Sequence, residues 1–289
     1  MLFPPLPLSP AAFSPFMKSS TTQFLSCCLV TAAAHSCAHA RMPSASLAPD
    51  ARVSSSASAS ATRATRYPSF PADYRCVPFH DARYSGGAQT IPGRLQNEYY
   101  DRLEVAVDAQ KGGVEEGQCY HDSDNANSGS GALNGTGTYE NEFRMFESPD
   151  VSFVKLGHAG VAIDDSPYNL VQPDSNALYL GWIAPGEWVR YTVNVARDGW
   201  YSITTAYTSK FGGHVSLDVN GVDATGPLTI PSTFARADTV EWRQAHHWNR
   251  ISGLGRFHLP AGKQLLTLHF LDQPVMNFDY MEFVPSAAP

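Results

Sequence analysis

The side chains that could do chemistry fall into two sets, acids and aromatics. The acids of interest are Glu98, Glu104, Glu115, Glu116, Asp122, Asp124, Asp164 and Asp165. Hydrolysis of a glycosidic bond needs two carboxyl groups a few ångströms apart, with pKa values driven apart by their surroundings. No spacing among these acids marks such a pair, and scattered acids are usually solvated surface. Neither a Gly-x-Ser-x-Gly nucleophile turn nor a His-Glu-x-x-His zinc motif occurs. His246 and His247 are adjacent, so on a strand they point to opposite faces, a poor geometry for one metal ion; a surface or core role suits them better. The aromatics point elsewhere. The chain has 13 Tyr, 15 Phe and 5 Trp but only 16% charged residues. Flat rings stack on the C–H faces of a neutral sugar, while amides and carboxylates meet its hydroxyl groups, so this composition suits binding better than catalysis. Aromatics also fill cores, and composition alone does not separate the two uses.

The elements that must hold these groups read as strands. In "WVRYTVNV", Val189, Tyr191, Val193 and Val195 point one way, and Arg190, Thr192 and Asn194 the other. Arg197-Asp198-Gly199 turns the chain into "WYSITTAYTS", rich in β-branched and aromatic residues. Asn220-Gly221 after "HVSLDV" is the strongest hairpin signal, because a type I′ turn needs positive φ at both centres. "RFHLP", the turn Ala261-Gly262 and "KQLLTLHFL" read as another antiparallel pair, and "MNFDYMEFV" as a closing strand. The expectation is an all-β protein, an antiparallel β-sandwich, with no βαβ rhythm and no dinucleotide or P-loop glycine pattern. His121 to Glu142 is Gly/Asn/Ser-rich and reads as a long exposed loop carrying the glycosylation sequon Asn134-Gly135-Thr136.

The net charge of -7 argues against a nucleic-acid partner, and no apolar run is long enough to span a membrane. Residues 1–40 read as a leader whose signal peptide starts at Met17-Lys18 and ends at Ala38-His39-Ala40, which implies secretion to the extracellular space. Residues 41–73 are Ser/Ala-rich and read as a disordered linker open to O-glycosylation. Removal of the leader takes Cys27, Cys28 and Cys37 with it. Cys76 and Cys119 remain as an even pair, either bridged or two buried thiols.

Five segments carry a resemblance to a known family. "IPGRLQNEYYD" (Ile91 to Asp101) is similar to the "PGRIEAEDYD" opening of family 6 carbohydrate-binding modules, and "GQCYHDSDNANSGS" resembles their "AYHDTDxxNxGG". "LGWIAPGEWVRYTVNVARDGWYSI", "LPAGKQLLTLHF" and "MNFDYMEF" resemble "VGWIxxGEWxxYTVNVxxxGxYxx", "LxAGxHTLxLxF" and "FNLDWIEF", in order. The resemblance implies a jelly-roll sandwich over residues 88–285, with residues 74–87 as an N-terminal extension. It also implies non-catalytic binding of a polysaccharide or oligosaccharide and a structural calcium. By the same resemblance Gln96, Glu98 and Asp279 map to the calcium ligands, Gln96 standing where a Glu is usual. The sugar cleft maps to Phe143-Arg144, with Tyr139 as a substitute ring, to Trp242 as the stacking platform and to Asn277. Trp248, Trp182 and Trp188 are expected in the core. Rim and strand-end roles stay open for Glu98 and Asp279. Such modules usually hang from glycoside hydrolases. A detached accessory module of a secreted hydrolase and a cell-wall or matrix structural protein are the alternative readings.

Overall fold

A computed structural model describes residues 67–104, 116–124, 127–129, 137–156 and 163–289. The leader, most of the linker, Glu115 and the sequon Asn134-Gly135-Thr136 lie outside the described residues. The strands in chain order are β1 (Cys76–Val77), β2 (Gln89–Ile91), β3 (Gly93–Gln96), β4 (Arg102–Leu103), β5 (Tyr120–His121), β6 (Val151–Phe153) and β7 (Leu178–Leu180). They continue with β8 (Trp188–Val195), β9 (Gly199–Ser209), β10 (Gly213–Val219), β11 (Val222–Asp223), β12 (Leu228–Ile230), β13 (Asn249–Leu259), β14 (Gly262–Phe270) and β15 (Met276–Ser286). One sheet runs β11-β10-β14-β8-β2, with β12 beside β10 and β5 beside β8. A second runs β13-β9-β15-β7-β6, with β3 beside β15, and β1 pairs with β4 in a small two-stranded sheet. Pairing is antiparallel except between β2 and β8. The one α-helix among the described residues, α1 (Tyr139–Glu142), is a single turn.

The inner faces follow the two-residue alternation. Val189, Tyr191, Val193 and Val195 of β8 are all buried, together with Leu217, Leu266, Leu268 and Phe270 of the same sheet. Ile203, Tyr207, Phe257, Phe278 and Phe283 face them from the other sheet, and the rings of Phe270 and Phe278 meet at 5.6 Å between centroids. Each such side chain stabilises the sandwich by roughly 1.5–3 kcal/mol. The Asn220-Gly221 turn closes β10 onto β11 with φ of 50° and 80°, as its type requires.

Two expectations need correction. "RFHLP" and "KQLLTLHFL" are not a hairpin. β13 pairs with β9, whereas β14 pairs with β8 and β10, so the turn at Gly262 carries the chain from one sheet to the other. Thr192 points outward from β8, as read, and is covered there: Asp101 accepts bonds from its amide (2.9 Å) and hydroxyl (2.6 Å) and from the Tyr74 hydroxyl (2.8 Å). The linker expected up to residue 73 is already packed at Tyr67, which is buried in the core cluster, and Pro68 accepts from the Asn220 amide at 2.8 Å. This N-terminal strap is stapled by a disulfide between Cys76 and Cys119, 43 residues apart. On a loop-entropy argument the bridge contributes about 4 kcal/mol, a model-dependent figure.

Candidate functional site

Two hollows collect the polar and aromatic residues that the core does not use. The first is a cleft of about 390 Å³ lined by Trp182, Ile183, Ala184, Trp242, Ala245, His246, Pro274, Val275 and Asn277. Trp242 is 47% exposed and Trp182 38%, so both rings offer a face to solvent. Trp242 stands on a 3-10 turn, Trp242–Ala245, that is held from below. The Asn277 amide (2.7 Å) and the Thr208 hydroxyl (2.6 Å) both donate to the Ala245 carbonyl, and the Gln244 amide donates to the carbonyls of Ala235 and Asp238, at 2.9 Å each. Asp238 is clamped by Arg243 at 2.7 and 2.8 Å, which holds its carboxyl well below the usual carboxylate range. Trp182 follows Gly181, where a Cβ would lie 2.6 Å from Asn277 Oδ1, so only glycine lets the Asn277 side chain come this close. Among the described residues no Asp, Glu, Lys or Arg lines the cleft.

The second hollow is lined by Gln96, Glu98, Asp279, Asn176, Tyr99 and Tyr139, among others. Gln96 ends β3 opposite Tyr280 of β15. Asp279 is the extra residue of a bulge in β15 against β9, which turns it out of the regular alternation. Glu98 lies in the 3-10 turn Asn97–Tyr99. Glu98 Oε2 and Gln96 Oε1 are buried without a hydrogen-bond partner among the described residues. Burial pushes the Glu98 carboxyl well up, and it raises Asp279 to about 7. Desolvated oxygens left unpaired cost several kcal/mol, and a hard cation is the group that compensates them. Two carboxylates, an amide oxygen and nearby carbonyls are a donor set of calcium type. No group of three or more His, Cys, Asp or Glu poised for a metal occurs among the described residues. That is consistent with this hollow, since one of its three side-chain donors is an amide.

Backbone strain concentrates at these two places. Five non-glycine residues among those described have positive φ. Trp182 and Val275 line the cleft, Asn176 lines the hollow, and Arg144 donates to the Glu98 carbonyl beside it. The fifth, Asn220, is the hairpin residue. For a β-branched Val at φ 64° this conformation costs on the order of 1–3 kcal/mol and persists only where the surroundings enforce it.

The expected cleft residues are therefore divided. Trp242 and Asn277 come together in the cleft. Phe143, Arg144 and Tyr139 do not line it. Phe143 is 3% exposed, packed between Phe79, Tyr99 and Tyr139, so its faces are used internally. The Arg144 guanidinium is buried, bonded to Glu147 at 2.6 and 2.9 Å and to the carbonyls of Glu98, Tyr100 and Asp101. Tyr139 donates to Asp81 at 2.8 Å and lines the second hollow. This trio braces the hollow from behind. Asn277 is only 5% exposed, and its amide hydrogens are spent on Thr208 and Ala245, so its main work is to position the turn under Trp242. Trp248 is fully buried, as expected, whereas Trp182 is not a core residue, and Trp188 is half-buried with Arg190 stacked over it at 4.4 Å. Trp182 is the residue that sequence reasoning missed. The signal was the glycine directly before it, which marks a close approach rather than a core position.

The acids also find partners. Glu187 accepts from Ser123 and from the Ala184 amide, and Asp150 accepts from the Ser128 amide. Burial and the surrounding acids raise Asp122 to about 8 and Asp150 to about 7. Glu187 and Asp150 pin loop backbone beside Trp182.

Residues 159–285 match the sequence model of carbohydrate binding module (family 6). This part of the chain carries the sequence pattern of a family 6 carbohydrate-binding module. Both cleft tryptophans, Asn277 and Asp279 fall inside the matched span of the module, while Gln96 and Glu98 come from the chain before it. Among solved structures the chain is similar to CsCBM6-3 from Clostridium stercorarium in complex with cellobiose, at 13% identity over 70% of this chain and 99% of that one, with a TM-score of 0.39. It is also similar to a β-1,3-glucan binding module of the same family from Bacillus halodurans, at 25% identity over 39% and 81%, TM-score 0.31. A glycoside hydrolase family 43 arabinoxylan arabinofuranohydrolase from Bacillus subtilis matches at 13% identity over 72% of this chain and 33% of the hydrolase, TM-score 0.39. No curated protein matches the chain. The module is a binding domain built as an antiparallel β-sandwich.

Proposed function

We propose that the module binds a neutral polysaccharide in the cleft between Trp182 and Trp242, by stacking and hydroxyl hydrogen bonds and without chemistry. The observation that carries this reading is a pair of exposed indoles on braced, strained backbone around a cleft that no Asp, Glu, Lys or Arg among the described residues lines. A cleft of this size supports modest affinity, with a Kd of roughly 10 μM to 1 mM. In this reading Gln96 Oε1, Glu98 and Asp279 hold a calcium ion that ties the opening segment to the last strand. The ion supplies charge compensation for the buried oxygens and takes no part in sugar binding. The protein acts outside the cell, alone or beside a glycoside hydrolase. Retention of the full-length chain on insoluble β-glucan and xylan tests the assignment. Trp242→Ala and Trp182→Ala should each abolish retention while the chain stays folded, and unchanged retention of both variants would place the site elsewhere.

A further inference from the structure

The cleft needs hydrogen-bonding groups to orient a sugar that its two indoles only sandwich. Asn277 offers one. Its Nδ2 faces the Ala245 carbonyl, an acceptor only, so the amide orientation is settled and Oδ1 is the atom turned to the Gly181 side. No described residue donates to that oxygen.

His246 offers a second. Its ring lines the cleft and meets the Trp242 ring edge-on, at 5.8 Å between centroids and 72°. Its Nδ1 lies 3.0 Å from Asp164 Oδ1. Asp164 is fully buried and collects donors: Trp248 Nε1 at 2.8 Å on Oδ1 and the Lys155 amide at 2.7 Å on Oδ2. A carboxylate fed by backbone and indole N–H groups is an acceptor, so the imidazole nitrogen facing it carries the hydrogen. The other nitrogen, Nε2, has no partner among the described residues and is not sealed from solvent. His247, the next residue, contrasts with it, since both its ring nitrogens are engaged, by Thr233 and Asp238, and it is buried.

We propose that His246 is a ligand-binding residue of the cleft, held by Asp164 as the Nδ1–H tautomer so that Nε2 accepts a hydrogen bond from a sugar hydroxyl. This rests on the cleft being the glycan site. It deepens that reading by naming the chemistry recognised. Asn277 Oδ1 and His246 Nε2 are both acceptors, so the preferred ligand presents hydroxyl donors to both. Sugars bearing carboxylate or sulfate at those positions meet lone pairs and are rejected.

Cellotetraose, laminarihexaose and xylotetraose serve as probes in calorimetric titration of the full-length chain, with the tightest carried forward. His246→Leu keeps an apolar side chain against Trp242 but cannot accept a bond, and it should weaken binding roughly tenfold, while His246→Gln, which retains an acceptor, should lose less than about threefold. On the wild-type protein, imidazole ¹⁵N spectra should show Nδ1 protonated and Nε2 bare, with the Nε2 resonance moving on saturation by the oligosaccharide. A galacturonate tetramer should bind at least tenfold more weakly than the neutral chain. If Trp242→Ala loses binding but His246→Leu does not, or if Nε2 carries the proton or stays unmoved, the assignment of His246 is overturned and the cleft survives. If the Trp242→Ala chain binds as wild type, the cleft reading falls and this inference with it. The spectra decide the tautomer even if His246→Leu fails to fold.

Discussion

The cleft and the cation hollow share strand β15, where Asn277 serves one and Asp279 the other, yet they are built on opposite terms. The cleft leaves large apolar rings in solvent and spends its polar groups on bracing. The hollow buries the Glu98 Oε2 and Gln96 Oε1 oxygens and leaves them without a partner among the described residues. Exposed rings cost the fold little when removed, whereas unpaired buried oxygens weigh on stability until something binds them. Binding and stability should therefore be separable by region. Phe143 and Arg144 mark the boundary. They lie on the hollow side, holding the Glu98 backbone, although their types suit a sugar cleft.

Removal of both indoles is the largest test. Trp182→Ala with Trp242→Ala should lower affinity at least about a hundredfold by calorimetry, with the melting temperature unchanged within a few degrees, because both rings lie partly in solvent rather than in the core. Removal of the cation should do the reverse. Chelation with EDTA should lower stability by about 2–3 kcal/mol relative to calcium at a hundred times its Kd, seen as a fall of several degrees in calorimetric melting, with oligosaccharide affinity unchanged within about twofold. Asp279→Asn should remove that calcium response. A coupled loss of affinity on chelation would break the separation.

A smaller effect comes from protons competing with the cation. In the metal-free protein the Asp279 carboxyl is raised to about 7, so at pH 6 it is mostly protonated and at pH 8 mostly ionised. Calcium affinity should therefore be about tenfold weaker at pH 6 than at pH 8, rising with pH through 7, measured by titration with a calcium electrode. The smallest effect should come from Gly181→Ala. The added methyl meets Asn277 Oδ1 at 2.6 Å and must displace it, at a cost of about 1 kcal/mol in stability and a few-fold in affinity through the turn that Asn277 supports.

Much of the fold was legible. Alternation in β8 named its inner face residue by residue, and Asn220-Gly221 named a turn, because both signals are local. The resemblance grouped Gln96, Glu98 and Asp279, and the three do share one hollow. The partner of β14 was not legible, since a strand followed by a tight turn reads as a hairpin whether or not the chain changes sheets. The cleft was half legible. Trp242 was named, but Trp182 was read as core, because a tryptophan beside a strand gives the same pattern buried or exposed. His246 was set aside with His247 for a similar reason, since adjacency says nothing about which ring a buried carboxylate will engage.

The order of strands, the inward faces and the residue types available for binding were determined by the sequence itself, because period-two alternation and turn chemistry act over a few residues. Which rings stay in solvent, which carboxyls lose water and which histidine nitrogen is left open were decided only by tertiary structure. Those properties depend on atoms brought together from far along the chain. Asp164 reaches His246 across 82 residues, and Glu98 meets Asp279 only once the first strands lie beside the last.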